Sequence, residues 1–150
     1  DWISKGLVEL ASFAKGSKVS VLLETHGDVV YANDLLQIMK NSESPQVGLI
    51  WDIFNMWSVT NEKPAEVYDR LKKYIRHTHI KDAQRINDEM HYVLLGQGVA
   101  PISETVKVLM RGGYSGYYSF EWEKLWHPDI EEPEVAFAQY PKQMRKYFKS

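Results

Sequence analysis

Short, nearly continuous apolar runs alternate along the chain with segments whose apolar residues recur every three or four positions. This is the pattern of strands buried on both faces followed by amphipathic helices. Ile3, Leu7, Leu10, Ala11 and Ala14 fall at helical spacing and meet Gly16, which suits the position past a helix end. Residues 19–26 then form a strand-length run with a polar end, closed by Gly27 and Asp28. Asn33 or Asp34 offers a cap for a helix with Leu35, Leu36 and Met39 inward, ended by the stretch from Ser42 to Pro45.

The pattern repeats. Residues 47–52 are a second apolar run, again closed by a carboxylate. Pro64 suits the first turn of a helix whose stripe is Val67, Tyr68, Leu71 and Tyr74. That helix delivers the chain to residues 75–82, where His77, His79, Lys81 and Asp82 place four ionisable side chains within six residues. In a strand, His77, His79 and Lys81 share one face and Thr78, Ile80 and Asp82 the other. A polar passage follows to His91, then Tyr92 to Leu95 and a tight turn, Gly96-Gln97-Gly98. Pro101 opens a helix with Ile102, Val106 and Leu109 inward and Gly112-Gly113 as its stop. Aromatic-rich residues 117–123 read as a fourth strand ending in carboxylates, and a loop through His127 leads to a last helix over 134–148 that Pro141 kinks or splits.

A helix followed by four strand-helix units predicts an α/β fold with parallel strands and helical crossovers. Units of about 30 residues fit a Rossmann-like sheet or part of a TIM (β/α)8 barrel. The glycine fingerprint of a dinucleotide fold is absent after the first strand, where Thr25-His26-Gly27-Asp28 stands. The 150 residues suffice for a single domain with a real core, and 44% hydrophobic with 25% charged residues is ordinary for a globular chain. A net charge of −2 without a long basic run argues against nucleic acid and anionic membrane as main partners. With no cysteine, any metal must be held by His and carboxylates, and a reducing, cytoplasmic location is the expectation. No run of about 18 apolar residues and no signal peptide is visible.

In parallel α/β folds the C-terminal strand ends gather on one face, where chemistry is built. Here that face collects Glu24, Asp52, His79 and Glu121, one from each unit. Three carboxylates brought together raise one another's pKa, so a divalent cation such as Mn²⁺, Mg²⁺, Co²⁺ or Zn²⁺ is the simplest way to hold them.

At these residues the chain resembles a known group. Leu23-Glu24, Trp51-Asp52-Ile53-Phe54-Asn55, His77 through Asp82, Gly96-Gln97-Gly98 and Phe120-Glu121 look like the last four strand ends of the xylose isomerase-like TIM barrels, and are most similar to the sugar phosphate isomerase/epimerase group. The resemblance implies Glu24, Asp52, His79 and Glu121 as metal ligands, with Glu24 and Glu121 also the catalytic proton-transfer pair. It implies Arg85 as a substrate contact, and puts Asn55 where the family carries a substrate-contacting histidine. Asn can hydrogen-bond a hydroxyl but cannot carry a proton, so the substrate stays open. The implied reaction is isomerisation or epimerisation of a sugar, sugar phosphate or polyol through a cation-stabilised enediolate.

His26 and Lys81 are further candidates for substrate contact, and His77 reads as structural. Trp51, Trp57, Trp122 and Trp126 read as packing before they read as sugar platforms. Four strands are half of the family barrel, so the chain is expected to associate with a second copy or with the missing half. Two other readings stand beside the enzyme: a non-catalytic half-barrel that keeps the ligands, and a DNA-repair enzyme like endonuclease IV, which five histidines and a slightly acidic chain fit poorly.

Overall fold

A computed structural model describes residues 2–87 and 89–149. The elements are α1 (Trp2–Ala14), β1 (Val21–Glu24), α2 (Ala32–Asn41), β2 (Val47–Asp52), α3 (Ile53–Thr60), α4 (Pro64–Leu71), β3 (Ile75–Ile80), β4 (Asp82–Ile86), β5 (Glu89–Val93), α5 (Ile102–Arg111), β6 (Tyr118–Phe120) and α6 (Pro133–Tyr147). Four strands form one parallel sheet in the order β1-β2-β3-β6. This is the order that short helical crossovers between successive strands produce.

Alternation along the strands sends Val47, Leu49 and Trp51 of β2 and Ile80 of β3 to one face. There they join Leu35, Met39, Val67, Leu71, Val106 and Leu109 from the helices in a single buried cluster. Each such side chain contributes about 1.5–3 kcal/mol relative to staying exposed. The opposite face carries Leu22, Ile50, His77 and Ser119, all half-buried, and among the described residues no helix covers it.

One irregularity sits in β3. The register pairs Leu49 with Ile75 but Ile50 with His77, so Arg76 is an extra residue, and its side chain runs across Gly48. After the bulge, Trp51 pairs with Thr78 and Asp52 with His79.

Several expectations are corrected. α1 buries Ser4, Leu7, Ala11 and Ala14, while Ile3 and Leu10 are exposed, because the helix seats its small residues against the sheet. Neither Asn33 nor Asp34 caps α2: its N-cap is Tyr31, without a side-chain bond, and the carboxylate of Glu62 accepts the Ala32 amide at 3.1 Å instead. The residues after Asp52 are a helix, α3, and the polar passage after Asp82 is the antiparallel hairpin β4–β5, with Asn87 in the left-handed conformation at its turn. Strands β1 and β6 are shorter than the apolar runs that announce them. α6 continues through Pro141 without splitting. α5 stops as expected at Gly112-Gly113, where Gly113 adopts a φ of +75° that favours glycine.

Candidate metal centre

Glu24 ends β1, Asp52 ends β2, His79 lies one residue before the end of β3, and Glu121 follows β6. One ligand atom from each, all four atoms within 4.8 Å of one another, can be chosen. Two ligands 2.0–2.2 Å from a cation on opposite sides are about 4.2 Å apart, so the set needs to draw in by only about half an ångström. His79 Nδ1 lies 2.7 Å from Glu24 Oε1 and 3.7 Å from Glu121 Oε1. The imidazole therefore sits between carboxylates from the two outermost strands.

Asp52 is fully buried and its two oxygens differ. Oδ1 caps α3 by accepting the Asn55 amide at 2.7 Å. Oδ2 is buried and, in its ionised form, finds no hydrogen-bond donor aligned with it, although Lys81 Nζ is 3.0 Å away. Burial pushes the Asp52 pKa up to about 7, helped by a hydrogen bond to Glu121 and opposed by Lys81 and the Asn55 amide. An orphaned carboxylate oxygen, two further carboxylates and an imidazole aimed at one point fit a divalent oxygen- and nitrogen-liganded metal.

Lys81 is buried with the cluster, and its ammonium meets Asp52 at 3.0 Å, Glu121 at 2.5 Å and Glu123 at 2.7 Å. Burial alone would lower its pKa, but the attraction of Asp52 and the hydrogen bonds to Glu121 and Glu123 outweigh that and raise it. It is a permanent cation. For Glu121 burial pulls upward, yet the hydrogen bonds from Lys81 and Asp52 and the charges of Lys81 and His79 leave it below the usual carboxylate range.

Two supports are not evident from sequence. Thr25 is buried: its hydroxyl donates to Asp52 O at 3.1 Å and accepts the Asp52 amide at 2.9 Å, which ties the end of β1 to that of β2 beside Glu24 and Asp52 of the cluster. Glu123 anchors Lys81 and lies 3.7 Å from His127, whose ring meets Tyr92 edge-on at 4.8 Å. The carboxylate two residues beyond Glu121 is the only sequence signal of this. Asp82 has a different task. Its Oδ2 accepts the amides of Gly96 and Gly98 and its Oδ1 those of Ala83 and Ala100, so this one carboxylate folds the Gly96-Gln97-Gly98 turn. A Cβ on Gly98 would stand 2.0 Å from Asp82 Oδ1.

The remaining candidates lie further out. Asn55 gives its backbone amide to Asp52, and its Nδ2 is buried without a partner. His26 is exposed in the loop after β1, paired by one bridge with Val29, and Arg85 is exposed on β4. His77 accepts or donates a 2.7 Å hydrogen bond with Ser119, and burial, then the nearby His79, lowers its pKa. Trp51 is core, Trp122 stacks on Phe120, and Trp126 is exposed. No helix among the described residues is long and apolar enough to cross a membrane.

Comparison with known proteins gives a consistent picture. Fructoselysine 3-epimerase of Escherichia coli O157:H7 is 28% identical over 142 residues, which are 91% of this chain and 50% of that protein. The chain thus spans half the length of this curated relative. The structure of an L-ribulose 3-epimerase superposes with a TM-score of 0.80 at 18% identity, over 97% of this chain and 52% of the other. A magnesium complex of a xylose isomerase-like TIM barrel protein from Mycobacterium smegmatis superposes with a TM-score of 0.65 at 22% identity, over 79% and 42%. The model of the xylose isomerase-like TIM barrel family matches residues 1–146, and with four parallel strands, their crossovers and the strand-end cluster in place, the chain belongs to that family.

Proposed function

We propose that the chain carries the catalytic face of a divalent-metal-dependent sugar isomerase or epimerase, with Glu24, Asp52, His79 and Glu121 as metal ligands. The observation that carries this reading is that one ligand atom from each of four successive strand ends reaches a common point around an unpartnered buried oxygen of Asp52. A bound divalent cation supplies positive charge beside a carbonyl and neighbouring hydroxyl, which makes the C–H between them acidic. Glu24 and Glu121 come from opposite edges of the sheet and flank His79, so one removes that proton and the other returns it from the far side. Lys81 keeps Glu121 ionised and balances Asp52 and Glu123. The unpaired Asn55 Nδ2 is free to donate to a sugar hydroxyl, and His26, in the loop that leaves β1, and Arg85, exposed on β4, are the further candidates for substrate contact. A ketose is the proposed substrate class, in keeping with the fructoselysine and ribulose epimerases among the relatives.

The test is proton exchange. Metal-loaded protein incubated with D-fructose in deuterated water is expected to wash deuterium into the carbon next to the carbonyl, followed by proton NMR, and Glu24→Gln and Glu121→Gln each abolish it. Metal bound at these four residues without any exchange, across a ketose panel, would leave a non-catalytic half-barrel as the reading. That alternative draws on one observation, the uncovered inner face of the sheet.

A further inference from the structure

Lys81 is placed to compete with a cation for Asp52. Its ammonium lies 3.0 Å from Asp52 Oδ2, the buried oxygen left without an aligned donor, so any cation taking that oxygen stands beside a second positive charge. The two side chains are 2% and 0% exposed, and little water screens a repulsion between charges there. What keeps Oδ2 open is the direction of the ammonium's own hydrogen bonds. Lys81 Nζ donates to Glu121 Oε2 at 2.5 Å and to Glu123 Oε1 at 2.7 Å, and its approach to Asp52 is close without being a hydrogen bond.

Of the three carboxylates that Lys81 meets, Glu123 alone lies outside the four-residue cluster. It is therefore the partner that stays wholly available to the ammonium when charge is added at the cluster. Its place follows from the chain. Beyond β6 alternate residues face opposite ways: Glu121 and Glu123 turn to Lys81, while Phe120 and Trp122 stack on each other, with Phe120 against Tyr140 of α6. The Glu123 carboxylate is then held from behind. Its Oε2 lies 3.7 Å from His127 Nε2, the Tyr92 hydroxyl hydrogen-bonds to it, and the Tyr92 ring meets Phe54 edge-on at 5.5 Å and His127 at 4.8 Å. Lys81 Nζ is 5.7 Å from the centre of the Tyr92 ring, a cation–π attraction that draws it the same way. Tyr92 belongs to β5 and His127 to the loop after β6, so two elements outside the four-stranded sheet meet at this one carboxylate.

We propose that Glu123 is a positioning residue: it holds the Lys81 ammonium to the Tyr92 side, so that Asp52 Oδ2 stays open to a divalent cation. This role presupposes the metal centre proposed for the four clustered residues, and its test reads binding, not turnover. Mn²⁺ is titrated by calorimetry at pH 8 into protein stripped with chelator. Glu123→Gln keeps the shape and removes the charge, and is expected to weaken Mn²⁺ binding about 10–100-fold, as loss of a group behind the ligands does. Lys81→Met is expected to bind Mn²⁺ at least as tightly as the parent protein, and adding Glu123→Gln to it to change Kd by less than about threefold. That non-additivity separates positioning from the lost charge acting through space, which weakens binding equally with and without Lys81. An unchanged Kd in E123Q, or equal losses in the two backgrounds, overturns the proposal, while binding abolished by Asp52→Asn keeps the metal centre. No binding by the parent protein overturns both. Should the Lys81→Met proteins not fold, a crystal structure of the Mn²⁺-loaded parent protein decides. Lys81 Nζ bonded to Glu123 and more than about 3.5 Å from Asp52 Oδ2 supports the proposal, and any other placement of the ammonium refutes it.

Discussion

Replacing Lys81 by Met removes the one cation that three carboxylates share, while keeping most of the side chain's volume. Lys81 is 2% exposed and Asp52 0%, so this pair lies in the interior, whereas Glu121 and Glu123 are partly open to water. Breaking a buried ion pair by deleting one partner costs about 3–5 kcal/mol, against about 0–1 for exposed pairs, and the Asp52 contact dominates the sum. For a domain of this size that corresponds to a melting point lower by roughly 6–20 °C at 2–4 °C per kcal/mol. The loss depends on pH. Asp52 is raised in the folded state from its ordinary 3.8 to about 7, so the folded protein holds more protons than the unfolded chain in that window, and ionising Asp52 costs stability as pH rises through it. Without Lys81 the cost grows, so the variant is expected to be hurt most at pH 8 and least near pH 5. Thermal denaturation of K81M and the parent protein at both pH values, in chelator, measures this. A penalty under 1 kcal/mol at pH 8, or one that does not shrink on acidification, would refute the view of Lys81 as the counter-charge of a buried carboxylate.

Added Mn²⁺ is expected to stabilise the protein by about 2.7 kcal/mol at one hundred times its Kd, an effect that Asp52→Asn and His79→Ala remove. Its affinity, read by calorimetry, falls as pH drops below about 7, because the cation must displace the proton from Asp52. Thr25→Val leaves the buried Asp52 amide without its acceptor and is expected to cost about 1–3 kcal/mol in chemical denaturation. Asp82→Ala releases four backbone amides together, so hydrogen exchange should quicken at Gly96, Gly98 and Ala100 while β1 and β2 stay protected.

The strand-helix rhythm was legible because both faces of the unit obey simple periods: β2 is apolar almost throughout, and Val67, Tyr68 and Leu71 fall on one side of α4. The four-residue cluster was legible for a related reason, since a charged or imidazole side chain recurs at the end of each of the four strand runs. What the sequence concealed depends on contacts made at a distance. Asp52 both closes β2 and caps the next helix, so the apolar run beyond it, Ile53 to Trp57, hides a helix that begins at once. The tie from Thr25 crosses 27 positions and that from Glu62 to α2 crosses 30, and no local pattern announces either. The exposed side of α1 reads as core because its apolar positions, Ile3 and Leu10, share the spacing of the buried ones.

Arg76 shows how little separates this centre from none. A pleated strand offers each face every second side chain, so inserting or removing one residue exchanges the two sets. By adding its one residue between Ile75 and His77, the bulge shifts the phase of β3 by half a period and turns the His79 imidazole toward Asp52. Were Arg76 instead paired opposite Ile50 in an even pleat, Thr78 would stand opposite Asp52, with the imidazole among the helices. An irregularity far from the carboxylates thus acts as a frame that decides which side chains of β3 can take part in chemistry at all.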